Sequence, residues 1–280
     1  MTILENLRKR PFSRPAEHEP DRPVLEVSHL NVRYDHVTAL EDVSFQLERG
    51  ERVAVVGPNG AGKSTLFKVI AGVLQPSSGE VNISGHVPGG HICIAYLPQR
   101  SNVDWTFPVS VADVVMMGRI GKLGVFRWPK SSDWNYVHQC LEDVGLQPLA
   151  KRQISELSGG QQQRMFIARA LAQEAEVMLM DEPLSGLDVH SQEDIYTILG
   201  ELHRRSVTVM VATHDLDQAA THFDRVMLLN HRLLGFGQPG EVFTTERLVT
   251  AYGGHLRLVE NGESGLLALG DTCCDEGEEP

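Results

Sequence analysis

The stretch GPNGAGKST, residues 57–65, follows the apolar run RVAVV and precedes LFKVIAGVL. An apolar strand that stops at a glycine, and a helical-period segment just beyond it, tightly constrain the loop between them. Gly57-Pro58-Asn59-Gly60-Ala61-Gly62-Lys63-Ser64 fits the pattern G-x-x-x-x-G-K-[ST] in the strand–loop–helix setting that the pattern needs. Small residues bare consecutive backbone N–H groups, which can converge on phosphate oxygens. The helix starting near Lys63 adds the positive end of its dipole. Lys63 is then expected to reach the β- and γ-phosphates and the Ser64 hydroxyl to ligate Mg²⁺, with Thr65 supporting the α-phosphate side. The ligand so implied is a nucleoside triphosphate. An ordinary glycine-rich turn is the bland alternative, and the full pattern in this context weighs against it.

A second apolar run, VMLMDEP, ends in Asp181 and Glu182, about 120 residues downstream. At the carboxyl end of a parallel strand both carboxylates would face the ligand crevice. Asp181 is expected to hold Mg²⁺, directly or through water, and Glu182 to polarise an attacking water. Phosphoryl transfer asks mainly for positioning and charge stabilisation, so this compact set comes close to sufficient. Two acidic residues at a strand end are by themselves usually just solvated; their place after a phosphate loop gives them meaning.

The rest of the chain supplies the frame. Its 280 residues suit one large domain with room for a subdomain, and its net charge of −12 argues against a general nucleic-acid binder. No run of about 18 apolar residues occurs, and the N-terminus carries charges where a signal peptide needs an apolar core. Four scattered cysteines make no disulfide framework, which fits a reducing, cytoplasmic setting. VLEVSHLNVRY and ALEDVSFQLERG alternate like half-buried antiparallel strands. GEVNISG and HICIAYLPQ add short strands, and residues 108–172 read as mainly helical. After 172, buried strands alternate with helices, as in a parallel sheet with crossovers.

LSGGQQQR, residues 157–164, lies before a helix and just ahead of VMLMDEP. Ser158-Gly159-Gly160 offers helix-start amides as a second anion site, and Ser158 can equally be a plain cap. In company with the rest, the chain resembles the ATP-binding cassette family in its nucleotide-binding subunit form. The resemblance covers about residues 24–245 and carries six ordered motifs. These are the phosphate loop, Gln99 in YLPQ, LSGGQ at 157–161, the Asp181–Glu182 pair, SGLD at 185–188, and His214 in ATHD. Tyr34 in VRYDHVTAL looks like the family's adenine-stacking aromatic, although it could simply be a packed strand residue.

The resemblance implies an α/β fold: a P-loop NTPase core with an antiparallel β subdomain and a helical signature subdomain. Residues 24–254 form that domain, with the helical part over about 100–172. Residues 1–23 form a mobile extension and 255–280 an acidic tail. It also implies a head-to-tail dimer in which ATP on Lys63 and Ser64 of one copy is covered by Ser158, Gly159, Gly160 and Gln161 of the other. Glu182 is then the general base or water-positioning residue, and His214 contacts the γ-phosphate. Gln99 touches Mg²⁺ and the water, and Asp188 bridges the two sites. ATP and Mg²⁺ are the cofactors implied.

What the ATPase drives is read from one window. Trp105, Trp128 and Trp134 all fall after Gln99, with Phe107, Phe126, Arg119, Lys122, Arg127 and Lys130. Two readings stand: a surface held against a partner near anionic headgroups, or large residues forming a subdomain core beneath solvated cations. SNVDWTFPVSVADVVMMGRIGKLGVFRWP is similar to cassettes of importers for manganese, zinc or iron. Those often carry AGVD and HHD where this chain has SGLD and THD, departures that match the wider family. The resemblance implies a membrane permease subunit, an extracytoplasmic substrate-binding protein, a place on the cytoplasmic face of the membrane, and no nucleic acid. Alternatives are an importer of another small solute, an exporter, or a soluble member acting on ribosomes or DNA. His255, Cys273 and Cys274 make a poor metal site, because adjacent cysteines seldom share one tetrahedral ion.

Replacing Lys63 by Ala is expected to weaken ATP binding itself. Loss of one charge-assisted contact corresponds to roughly tenfold or more in a nucleotide titration; unchanged affinity would remove Lys63 from the phosphate site.

Overall fold

The computed structural model describes residues 23–84, 94–99, 104–123 and 127–253. Residues 1–22 of the expected 1–23 extension, the tail, His255, Cys93, Cys273, Cys274 and Phe126 lie outside the described residues.

Two sheets share one core. Strands β1 (Leu25–Tyr34), β2 (Val37–Leu47) and β4 (Ser78–Ile83) form an antiparallel sheet in the order β2-β1-β4. Strands β3 (Arg52–Val56), β5 (Ile94–Leu97), β6 (Val177–Asp181), β7 (Thr208–Thr213), β8 (Arg225–Asn230) and β9 (Arg232–Gly237) form the second sheet, ordered β5-β6-β7-β3-β8-β9. All its pairs are parallel except β8–β9. The apolar runs VMLMD and TVMVAT are buried at every position, because both faces of this sheet are covered. Val53, Val55, Leu179, Met210 and Met227 face the antiparallel sheet; Ala54, Val56, Met180, Val211 and Leu228 face the helices. β9 turns back as an antiparallel edge strand that the sequence alternation did not announce.

Helix α1 (Lys63–Ile70) follows the phosphate loop and stops earlier than its apolar period suggests. Gly72, at φ 71°, ends it, and the Val73 N–H closes on the Lys68 carbonyl at 2.9 Å. The helical part contains α2 (Val111–Met117), α3 (Ile120–Leu123), α4 (Ser131–Asp143) and α5 (Gly159–Gln173). Helices α6 (Val189–Arg204), α7 (Leu216–His222), α8 (Pro239–Val242) and α9 (Thr245–Tyr252) complete the described chain. No described helix is long and apolar enough to cross a membrane.

The tryptophan window divides between its two readings. Trp105 packs edge-on against Phe166, with ring centroids 5.7 Å apart, and Trp134 also lies against the core. Trp128 is 90% exposed, and Phe107, Met117 and Ile120 are exposed with it. Arg119 and Lys122 are not the solvated cations of the sequence reading. Both pair with Glu174, which follows α5 in a left-handed conformation, and Arg119 also meets Asp133 at 3.3 Å. Glu174 lies more than fifty residues away, so inspection of the local window could not find it. The result is an ionic clasp between the α2–α3 junction and the end of α5, with its carboxylates buried and its cations half-buried.

Removing Glu174 takes the carboxylate away from Lys122 and leaves Arg119 with Asp133 as its carboxylate partner. Glu174→Gln is expected to cost about 3–5 kcal/mol in urea unfolding; a change below about 1 kcal/mol would mean that solvent already screens the cluster.

Candidate functional site

The active edge is a consequence of register. In the parallel sheet Val56 pairs with Thr213, and Asp181 with Ala212. Strands β3, β6 and β7 therefore end together and release Gly57, Glu182 and His214 on one side. That is the carboxyl edge, where open α/β sheets bind ligands.

Gly57 is required by crowding: a Cβ there would lie 2.0 Å from the Leu229 carbonyl oxygen. Gly62 sits at φ 96°, and a Cβ would meet the Ala39 carbonyl at 2.5 Å. The loop is thus pressed onto β8 at Gly57 and onto β2 at Gly62, with no room for a side chain at either point. Asn59 and Gly60 are exposed, Ala61 is buried, and the Ala61 N–H donates to the Pro58 carbonyl at 3.2 Å. Helix α1 starts at Lys63, so the N–H groups of Lys63, Ser64 and Thr65 belong to its first turn, where no intrahelical acceptor exists. Buried Lys63 folds back, its Nζ donating to the Gly57 carbonyl at 2.5 Å and to Pro58 at 3.0 Å. A bare loop, a helix start and a cation fit a polyphosphate.

The two carboxylates differ. Asp181 is buried at the end of β6, and the Tyr96 hydroxyl donates to its Oδ2 at 3.5 Å. Burial and the Asp181 charge push the Tyr96 phenol up to about 12, so it remains a donor. Glu182 has φ 48°, a costly conformation for a side chain of this kind, while its N–H continues the ladder to the Ala212 carbonyl at 3.1 Å. That strained turn stands between two partners. Gln99 Nε2 donates to Oε2 at 3.4 Å, and His214 Nδ1 lies 3.9 Å from Oε1. The structure therefore gathers Gln99, Glu182 and His214 around one carboxylate. Exposed Ser64 and buried Asp181 are oxygen donors of the kind a hard cation such as Mg²⁺ takes.

The other expected residues make contacts of their own. Tyr34 closes the β1–β2 hairpin opposite Val37 and is 44% exposed, so it is not packed strand core. Ser158 caps α5: its Oγ accepts from the Gln161 N–H at 3.4 Å, and Gln161 Oε1 accepts from the Ser158 N–H at 3.0 Å. Gly160 is buried against α6, where a Cβ would meet Ser191 Oγ at 2.5 Å and its Cβ at 2.8 Å. Asp188 caps α6 and accepts from the Ser191 N–H at 2.9 Å and its hydroxyl at 2.7 Å. Those two bonds hold the Asp188 carboxyl below the usual carboxylate range. Tyr96 and Ser191 were missed in the sequence. Tyr96 stands in YLPQ itself, and Ser191 is three residues past a capping Asp, a spacing that could have exposed it.

The fold and this edge define a nucleoside triphosphatase of the phosphate-loop class. Residues 40–185 match the family model described as ABC transporter, and the chain belongs to that family. It is 44% identical over 238 residues to the manganese transport system ATP-binding protein MntB of Bacillus subtilis, covering 85% of this chain and 95% of the relative. It is 45% identical over 242 residues to the zinc transport system ATP-binding protein TroB of Treponema pallidum, covering 86% and 91%. Among solved structures it is similar, at a TM-score of 0.75 and 32% identity, to an inward-facing ABC transporter described as of the metal-chelate type. That likeness covers 87% of this chain and 95% of the other. The chain is therefore an ATP-binding, ATP-hydrolysing transport subunit.

The Gly160–Ser191 contact gives an ordered test. Gly160→Ala is expected to lower ATP turnover about tenfold or more through overpacking. Adding Ser191→Gly, which removes both clashing atoms, should recover most of it, and adding Ser191→Ala, which keeps the Cβ, should not. Equal recovery by both would put the defect elsewhere.

Proposed function

We propose that this chain powers a membrane importer for a divalent transition metal (manganese, zinc or iron) and works as a head-to-tail pair of copies. The observation that supports the pairing is the different set of contacts made by the two groups. Lys63, Glu182, Gln99 and His214 gather at the sheet edge, whereas the exposed Ser158 that opens α5 leans on α6. On this reading Ser158 serves the phosphate bound to a second copy.

In that pair, ATP lies on the loop of one copy with Lys63 at its β- and γ-phosphates and Tyr34 against its adenine. The Gly57, Pro58, Asn59, Gly60, Ala61 and Gly62 backbone wraps the phosphates, and Thr65 supports the α-phosphate side. Ser158 of the facing copy has accepted its cap bond and still has a hydroxyl proton to donate to the γ-phosphate. The Gly159 and Gly160 amides and Gln161 stand beside it, and Asp188 reaches across. Mg²⁺, held by Ser64, Asp181 and Gln99, supplies charge neutralisation on the phosphate oxygens. Glu182 accepts a proton from, or orients, the attacking water, and His214 holds the γ-phosphate in line. ATP binds the closed pair better than the open one, because only closure puts both anion sites on one phosphate. Phosphate loss removes that preference, and the pair opens.

The cargo reading rests on the similarity to relatives named for manganese and zinc transport and on the local resemblance after Gln99. The metal does not bind this subunit. Its selection belongs to a permease and an extracytoplasmic binding protein, with this chain peripheral on the cytoplasmic face. The exposed Phe107, Met117, Ile120 and Trp128 offer the permease an apolar surface.

Glu182→Gln is expected to reduce turnover by at least about a hundredfold and to trap an ATP-bound dimer in size-exclusion chromatography. Normal hydrolysis by the variant would refute the role. Metal uptake by the reconstituted complex, with the same variant as blank, tests the cargo: the account expects manganese, zinc or iron to move, and uptake of none of them would overturn it.

A further inference from the structure

The first turn of α6 joins motifs that the chain separates. The Gln192 side chain reaches back to the segment after Glu182, its Nε2 donating to the Leu187 carbonyl at 3.1 Å and lying 3.5 Å from that of Leu184. Its Oε1 accepts from Gln218 Nε2 on α7 at 3.1 Å. Gln218 Oε1 in turn accepts from the Tyr196 hydroxyl at 2.6 Å. The Gln218 N–H donates to Asp215 Oδ1 at 2.9 Å, and Asp215, the cap of α7, directly follows His214. The Asp215 N–H donates to Thr213 Oγ1 at 3.1 Å, on the other side of His214.

This chain of bonds has one polarity. A backbone carbonyl only accepts, so Gln192 must turn its NH₂ to Leu187 and its oxygen to Gln218. Gln218 must then offer its own NH₂ and keep its oxygen for a donor. Tyr196 is that donor: burial and the Asp215 charge push its phenol up, which keeps the proton on oxygen. The Tyr196 ring is fixed in turn by stacking on His222 at 3.6 Å. Each group has a single orientation that satisfies its neighbour. The segment it grips is braced at its start by the Ser185 N–H on the Glu182 carbonyl at 3.3 Å, and at its end by the Asp188–Ser191 cap.

We propose that Gln192 and Gln218 are positioning residues that tie the Leu184–Asp188 segment to His214 within one chain. The inference rests on the reading of Glu182 and His214 as the hydrolytic pair and of Asp188 as the residue facing the second copy. A shift of Asp188 on closure pulls the Leu187 carbonyl, then Gln192, then Gln218 and the first turn of α7. His214 thereby reaches the γ-phosphate only when the neighbouring copy is in place. Ser191, beside Gln192, also presses on Gly160. The same helical turn thus touches the signature start, which serves the partner's nucleotide, and the switch that serves its own.

The test is ATP turnover by the full-length protein. Gln192→Leu and Gln218→Leu are each expected to lower kcat roughly five- to tenfold while leaving KM for ATP within about twofold. The double variant should fall no further than the worse single, because both break one relay. Gln192→Arg combined with Gln218→Glu rebuilds the same donor order, since a guanidinium can donate to both Leu187 and a carboxylate that still accepts from Tyr196. It should restore kcat to within about threefold. Wild-type kcat in both single variants, losses that multiply in the double, or failure of the rebuilt pair at unchanged melting temperature would each overturn the relay. The Glu182→Gln protein is assayed alongside. If it hydrolyses normally, the reading of the site falls and takes the relay with it; if it is inert while the leucine variants are normal, the relay alone is wrong.

Discussion

Everything at the active edge depends on β3 lying between two parallel neighbours in register. β7 on one side and β8 on the other fix where Val56 ends. The chain then has to leave the sheet through a gap bounded by the Leu229 carbonyl and by β2 at Ala39 and Leu40. Only glycine fits at its two tight points, Gly57 and Gly62, and a helix follows at once. A phosphate cradle is what such an exit leaves behind: bare amides, a helix start and a lysine. Because β6 and β7 end at the same level, the carboxylates and His214 arrive without any further device.

That edge accounts for nucleotide binding, and in the proposed pair a second copy covers the other face of the phosphate. The helical part answers the second need at a distance. Its α5 begins with a satisfied cap and ends in an ionic clasp with Arg119 and Lys122, so both ends of the helix are held. Rigid ends suit the proposed role of this helix, which presents Ser158 to a second copy and responds to a permease. The Arg119–Glu174–Lys122 cluster is costly to desolvate and would serve poorly as a source of stability alone. As a connection between the exposed Met117–Ile120 region and α5 it has a clear use.

The sequence disclosed what local pattern can carry. The phosphate loop, Asp181 and Glu182 follow from residue type and spacing on apolar strands, and both sheets were legible from alternation and buried runs. The remaining expected site residues, Gln99, Ser158, Asp188 and His214, gained meaning only as an ordered set. What escaped was set by contacts between distant positions. β9 pairs with β8 after a tight turn, in an otherwise parallel sheet. Glu174 neutralises two cations that looked solvent-facing in their own window. Gly160 is a glycine because of Ser191, and Gln192 meets Gln218 only once α6 and α7 are packed. No periodicity encodes such pairs, because each partner looks like an ordinary surface residue in its own helix.

The central claim is that one chain holds half of each catalytic pocket, and mixing two crippled chains tests it most directly. Lys63→Ala spoils the phosphate loop and leaves Ser158 intact; Ser158→Arg spoils the helix start and leaves Lys63 intact. Each alone should be nearly inactive. A mixed pair contains one pocket with both halves sound, so combining equal amounts should restore turnover well above the sum of the two, and dilution should abolish the gain. A mixture no more active than that sum, with turnover per chain independent of concentration, would show that the pocket is complete within a single copy.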